Sequence, residues 1–331
     1  MGTGRVTHLS VRGLALFVLA AMLTPSALAG EPMERPVLIG SLASSFGFSG
    51  TTLGLRDGLE ELGYRENEQY VLGMRFTQGD PSLLPAAARD LIENGVDILY
   101  VEGDNALRAA QLATREIPIV FAAVSNPVKS GLVQSFARPG GNVTGVSGLS
   151  AELGAKRLEL FRELLPGLKR VLFPYDRSDL HAVAEAEYYR VAARRLGIIL
   201  EEQPLGTQDE AREALARIRK GTVDGILATY LVPLNIPGFI LEAESREGIP
   251  AMYAAGFWPD RSGFASYAPD YYSSGRQAAR LVDKIIRGAN PGEIPVEVNM
   301  DFELVINLKT AKALGIEIPP EALYQADRII R

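Results

Sequence analysis

The sequence predicts an α/β protein built as two doubly wound parallel-sheet lobes joined by a multi-segment hinge. Three observations carry this prediction. Short β-branched or apolar runs alternate with longer helix-periodic segments along almost the whole chain, which is the pattern of parallel strands covered by helices. The 331 residues suffice for two domains at about 150 residues each. Turn-rich stretches at Arg138-Pro139-Gly140-Gly141-Asn142 and Tyr267-Ala268-Pro269-Asp270 interrupt the alternation, and these are the candidate hinges.

The elements follow in order. Residues 37–42 form a buried-strand run, and a helix over 51–62 is announced by Ser49-Gly50-Thr51 and stopped by Gly63. Strands are predicted over 70–77, 96–101, 117–124 and 143–147, with helices over 81–93, 105–114 and 127–137 between them. The second half repeats the pattern, with helices over 151–165, 181–196, 209–219, 236–247, 273–287 and 309–314. Its strands are predicted over 170–174, 198–203, 223–229, 250–254, 264–267 and 296–306. No repeat with a period of about 20–50 residues connects the halves, so a solenoid is not the explanation.

Ahead of these elements, Arg5 and Arg12 precede an apolar stretch from Gly13 to Leu23, and Ala27-Leu28-Ala29 forms a small-x-small site. This reads as a secretory signal peptide over residues 1–29, because the apolar run breaks at Thr24-Pro25-Ser26, short of the ~20 residues a membrane span needs. With no cysteine to carry a lipid, the expected product is a soluble periplasmic protein cleaved near Ala29.

Composition narrows the chemistry further. With 34 basic against 40 acidic residues and a net charge of -6, nothing attracts a polyanion, and no nucleic-acid partner is expected. The absence of cysteine removes disulfides, thiol nucleophiles and thiolate-bound zinc. Only His8 and His181 remain as histidines, and His181, opening a helix beside Asp179, reads as a solvated or capping residue. After the first strand the chain runs Gly40-Ser41-Leu42-Ala43-Ser44-Ser45-Phe46-Gly47-Phe48-Ser49-Gly50, which is neither a dinucleotide fingerprint nor a P-loop. Gly145-Val146-Ser147-Gly148 and Gly47-Phe48-Ser49-Gly50 lack the spacing of a nucleophile elbow. Asn142-Val143-Thr144 fits a glycosylation acceptor but reads as a turn into a strand. The chain is therefore expected to be no enzyme, and to need no cofactor and no metal.

What remains is a set of small, polar and aromatic loops at the C-terminal ends of predicted strands, where open α/β sheets place ligands. The candidate ligand-binding residues are Ser45, Phe46 and Phe48 after the first strand, Gly103, Asp104 and Asn105 after the third, and Ser125 and Asn126 after the fourth. In the second half they are Tyr175, Asp176, Tyr230, Phe257 and Trp258, with Tyr267 at the return crossing. Helix capping competes for Asp104, Asn105 and Asp176, and rim or core packing competes for the rings. Rings gathered at strand ends suit an apolar or aromatic solute, since they supply contact area and a polar edge. Asp104 is expected to accept a hydrogen bond from a hydroxyl or ammonium, while an anionic group would sit at the first helix N-terminus, after Ser49.

Several motifs then point to a family. They are Gly79-Asp80-Pro81 with Leu84-Pro85, Val96-Asp97-Ile98, Ile117-Pro118-Ile119-Val120-Phe121, Lys156-Arg157-Leu158-Glu159-Leu160, and the longer runs 137–145 (ARPGGNVTG) and 302–315 (FELVINLKTAKALG). Together they resemble the ABC-transporter substrate-binding protein family that includes the tryptophan/tyrosine-binding proteins, over nearly all of the chain beyond residue 30. The resemblance implies a type I periplasmic-binding-protein fold, a flytrap of two lobes with three crossing segments. Lobe 1 would comprise 37–145 plus about 268–297, and lobe 2 would comprise 146–267 plus about 298–331. Departures fall at the strand-end loops: family members commonly have Gly-Thr-Pro-Ala at Gly103-Asp104-Asn105-Ala106, Asp-Pro-Val at Asn126-Pro127-Val128, and Tyr-Gly-Pro-Asp at Tyr267-Ala268-Pro269-Asp270.

The function expected is that of a monomeric periplasmic solute-binding protein. It would capture a small, largely apolar or aromatic solute and deliver it to an inner-membrane permease complex of the ABC type. A sensory binding protein that presents its ligand, or an enzyme on the same scaffold, are the alternatives.

Overall fold

The computed structural model describes residues 35–45, 47–229 and 233–331. The leader read in residues 1–29, and positions Phe46 and Tyr230, lie outside the described residues.

The chain opens with β1 (Val37–Ala43), α1 (Gly50–Glu61), β2 (Tyr70–Phe76), α2 (Leu84–Glu93), β3 (Ile98–Glu102), α3 (Asp104–Ala113), β4 (Ile119–Val124) and β5 (Val143–Ser147). It continues with α4 (Gly154–Leu164), β6 (Arg170–Asp176), α5 (Leu180–Leu196), β7 (Ile199–Leu205), α6 (Gln208–Ala216), β8 (Gly225–Leu227), α7 (Ile236–Glu247), β9 (Ala251–Tyr253), α8 (Phe257–Asp260) and β10 (Ala265–Pro269). The last stretch holds α9 (Tyr271–Ile286), β11 (Glu297–Val298), β12 (Phe302–Asn307), α10 (Leu308–Leu314), α11 (Pro320–Leu323) and β13 (Arg328–Ile330).

Two sheets result. Among the described residues the first has the order β11-β5-β4-β3-β1-β2, with every pair parallel. The second has the order β13-β12-β10-β9-β8-β6-β7, parallel except that β12 runs antiparallel to β10. β3 and β4 are buried at every position, as strands covered on both faces must be, and apart from Glu102 at the end of β3 their sequences are continuous apolar runs. One core packs Leu99, Val101 and Phe121 under Leu107 and Ala110 of α3. The second sheet carries a core on each face: Phe161, Phe173 and Tyr189 against α4 and α5, and Leu215, Ile240 and Tyr253 against α6 and α7.

The exchange between sheets departs from the expected position. The turn 138–142 leads into β5, which pairs with β4 inside the first sheet, so the chain leaves that sheet only after Ser147. It returns at Asp270, between β10 and α9, and leaves again over 299–301. The run 296–306, expected as one strand, is thus two strands in different sheets. Asn299 breaks it: its backbone N–H donates to Ser147 O at 2.8 Å, and its amide donates to Asp270 O at 2.7 Å and Ser274 Oγ at 2.8 Å. One buried residue therefore ties all three crossings.

The helix expected over 127–137 is a set of turns instead, because Gly131 at φ 67° ends a first turn closed by Ser130 N–H to Asn126 O at 3.0 Å. α8, α11 and β13 were not foreseen, being only three or four residues long.

Candidate functional site

The parallel strands of each sheet point their C-terminal ends at the other sheet, and the polar residues there are buried. Glu102, Asp104 and Ser125 from the first sheet and Asp176, Asp179 and Thr229 from the second are all at most 7% exposed. Contacts cross the gap: Lys129, in the turns after β4, sets its ammonium 5.0 Å from the Tyr188 ring of α5.

On the first sheet, Glu102 ends β3 at the start of α1. Its Oε1 accepts from Ser49 Oγ at 2.8 Å and Thr52 Oγ1 at 2.6 Å, while Ser49 caps the helix by accepting from Thr52 N–H at 3.0 Å. The positive end of α1, expected to receive a ligand's anion, thus meets a carboxylate of the chain itself. Burial raises the Glu102 carboxyl above its usual range.

Gly103 is the N-cap of α3 at φ 87°, a conformation that a Cβ disfavours, so Asp104 is the first helical residue and not the cap. Its Oδ2 accepts from Ser125 N–H at 3.3 Å and its Oδ1 from Ser130 Oγ at 3.1 Å. Asn105 follows, half-buried. Ser125 and Asn126 brace the first crossing: Ser125 Oγ accepts from Ala151 N–H at 3.0 Å and donates to Glu152 at 3.3 Å, and the Asn126 amide donates to Glu152 at 2.9 Å.

On the second sheet, Asp176 Oδ1 accepts from Ser178 N–H at 2.8 Å and Ser178 Oγ at 2.7 Å. Asp179 caps α5, its Oδ1 accepting from His181 N–H at 2.9 Å, while its Oδ2 has no hydrogen-bond partner. His181 is 3% exposed, so the solvated role expected for it does not hold; burial and nearby Arg157 push its pKa down to about 3, which keeps the ring neutral. Behind it, Arg157 of α4 bonds Glu185, Tyr189 Oη at 2.8 Å and Tyr267 O at 2.9 Å without any exposure. Arg157 therefore joins both helices to the middle of β10.

The rings behave differently from the polar groups. Tyr175 stacks on Phe173 at 5.1 Å in the core under α5, and Trp258 stacks on Tyr253 at 5.5 Å, 5% exposed, in the core on the other face. Phe257 lies beside Trp258 at 5.0 Å with Arg261 over it, and Phe48 lies 6.2 Å from Phe76 at the outer edge, 53% exposed. Tyr267 is half-buried against Phe302 at 6.2 Å. Ser45 closes its own loop by donating to Gly47 O at 2.9 Å. The structure thus gathers Gly103, Asp104, Asn105, Ser125, Asn126 and Asp176 at the facing strand ends, and sends Tyr175 and Trp258 into the second sheet's own cores.

Sequence reasoning passed over Asp179, Glu185 and Arg157. A signal was present: Arg157 shares a helical face with Leu158, Phe161 and Leu164, where a charge is out of place unless paired.

Two surface hollows, of about 830 and 550 Å³, lie elsewhere, the first lined by residues such as Leu241, Ser245, Arg261 and Thr310 and the second by Arg108, Arg115 and Pro139. Neither reaches the facing strand ends.

Comparison with known proteins adds three findings. Residues 42–330 match the family described as ABC transporter substrate binding protein. A tyrosine-binding protein from Clostridioides difficile is 27% identical over 267 residues, covering 80% of this chain and 76% of that protein. Among solved structures, a conserved domain protein from Vibrio cholerae is 31% identical with a TM-score of 0.82, covering 89% of this chain and 99% of that one. A domain from Streptococcus pneumoniae in complex with L-Trp is 25% identical with a TM-score of 0.80, covering 89% and 100%.

Proposed function

This chain belongs to the ABC transporter substrate-binding protein family, with the type I periplasmic-binding-protein fold, and we propose that it captures a small, largely apolar or aromatic solute between two lobes and hands it to an inner-membrane permease complex. The observation that carries this reading is the burial of polar strand ends from both sheets against each other, with three chain crossings beside them. Such an arrangement lets a solute touch both halves at once, and only contacts to both can favour closing over opening. The L-Trp complex of the S. pneumoniae neighbour and the tyrosine-binding relative support an aromatic solute. The lobes follow the sheets, and the pivot lies at 148–153, Asp270 and 299–301. The protein acts as a monomer in the periplasm, after its leader is cleaved near Ala29, and performs no chemistry on its cargo. Among the described residues no helix is long and apolar enough to cross a membrane.

Thermal-shift screening against solutes that include L-tryptophan and L-tyrosine tests the reading. A ligand at 100 times its Kd should stabilise the protein by about 2.7 kcal/mol, and it should be recovered unchanged by mass spectrometry. Conversion of the ligand would replace binding by catalysis.

A further inference from the structure

We infer that Glu102 is an internal stand-in for an anion: its carboxylate fills the seat at the head of α1 that a solute's carboxylate could otherwise take, so the solute of this chain presents an uncharged polar group there. The inference rests on the capture reading above and narrows its solute class. α1 has a serine cap and no acidic residue in its first turn, although the positive end of a helix favours a negative charge. That charge comes instead from the end of β3. Glu102 Oε1 accepts from Ser49 Oγ at 2.8 Å and from Thr52 Oγ1 at 2.6 Å, groups 53 and 50 residues away in sequence. The hydroxyls are themselves held in place: Ser49 Oγ accepts from Thr52 N–H at 3.0 Å and lies 2.6 Å from Thr51 Oγ1. Thr51 and Thr52 have no exposure and Glu102 is 7% exposed. Burial raises the Glu102 carboxyl, and the hydroxyls of Thr52, Ser49 and Thr51 act in the opposite sense, favouring the charged form.

A second carboxylate brought to this place meets a like charge, and finds the hydroxyls already donating to Glu102. The cations described around the facing strand ends have partners of their own. Arg157 is held by Glu185, Tyr189 and the carbonyl of Tyr267, and Lys129 lies over Tyr188. Arg177, after β6, pairs with Glu210 at 3.6 Å, and Arg56 of α1 pairs with Glu66 at 3.0 Å. The other ionisable groups buried there are Asp104, Asp176 and Asp179, which are acids, and His181, which is neutral. Specificity of this kind works by repelling the wrong solute as much as by gripping the right one. A hydroxyl or an amide escapes the repulsion and can donate to the Glu102 carboxylate, which accepts more donors than the two it has. Tyrosine and L-Trp, the solutes named for the two relatives, both carry a carboxylate, so the inference sets this chain apart from them.

The test has an arm without solute and an arm with one, both on the full protein. Glu102→Ala empties the seat, and Glu102→Gln keeps it filled without the charge. In thermal melts, sodium formate should raise the midpoint of the Ala variant by about 2 °C or more over matched sodium chloride, and should leave the wild type and the Gln variant unmoved. The same response in all three proteins, or none in the Ala variant, would overturn the inference. Calorimetry then compares L-tryptophan with L-tryptophanol, the same molecule with its carboxylate reduced to an alcohol. The wild type should favour L-tryptophanol by about tenfold or more, and the Gln variant should lose that preference. L-tryptophan bound by the wild type as tightly as L-tryptophanol, or a preference unchanged in the Gln variant, would also overturn it. If the Ala variant does not fold, the Gln variant decides by calorimetry. If neither probe binds, the aromatic-solute reading falls, and the formate response alone decides whether Glu102 fills an anion seat.

Discussion

Arg157 and Glu185 show what one buried pair demands of the residues around it. Both side chains are without exposure, and the guanidinium donates further to Tyr189 Oη, Tyr267 O and Ser150 O. Arg157→Met should cost about 3–5 kcal/mol in urea unfolding by stranding Glu185, and the Arg157→Met/Glu185→Leu double variant should recover much of that. A second residue-scale outcome concerns pH. Glu244 accepts from Ala251 N–H, Phe264 N–H and Tyr253 Oη, and burial nevertheless pushes its pKa up to about 8. The folded chain then holds a proton that the unfolded chain has released, so the stability contributed by this group is fully present below about pH 4.5 and falls as pH rises toward 8. Glu244→Gln should flatten that decline in chemical denaturation measured across the range. At this scale the sequence was legible where a residue's role is local, as with the Ser49 cap. It was opaque for His181 and Asp179, which are polar at a helix start and buried only because distant elements close over them.

The packing of α1 against α9 depends on three small residues. A Cβ on Gly54 would lie 2.0 Å from Tyr272 O, a Cβ on Gly275 2.0 Å from Thr51 O, and one on Gly58 2.7 Å from the Cβ of Ala279. Alanine is the better helix former by about 1 kcal/mol, yet at Gly54 and Gly275 the clashes are with backbone that cannot step aside. Gly275→Ala should therefore destabilise by about 1–3 kcal/mol, measured as a lower urea midpoint; an unchanged midpoint would mean that the helices separate at little cost. Elements were readable where period and caps agree, and most strands and helices fall within a few residues of expectation. The run 296–306 misled because its alternation suits a strand throughout, and the break at Asn299 is imposed by Ser147 and Asp270, residues far away in sequence. In 127–137, apolar spacing suggested a helix that Gly131 does not continue.

At the scale of the molecule, neither sheet is built from a contiguous stretch. The first takes β11 and its covering helix α9 from beyond residue 270, and the second takes β12 and β13 after that. A chain ended after Asp270 should fail to show a cooperative transition by circular dichroism, whereas the complete chain should unfold in one step; two resolved steps would make the lobes independent. The fold class was legible at this scale because alternation of strand and helix is a property of the whole chain, while the burial of Asp104 and Asp179 depends on how closely the two sheets approach. The late arrival of α9 and β11 also sets an order of assembly. Until the stretch beyond residue 270 is available, β5 offers a bare edge and α1 an uncovered glycine face, surfaces prone to pair with another chain. Folding of this protein is therefore expected to be slow and dependent on its C-terminal part, with partial chains lost to aggregation before they can form either half.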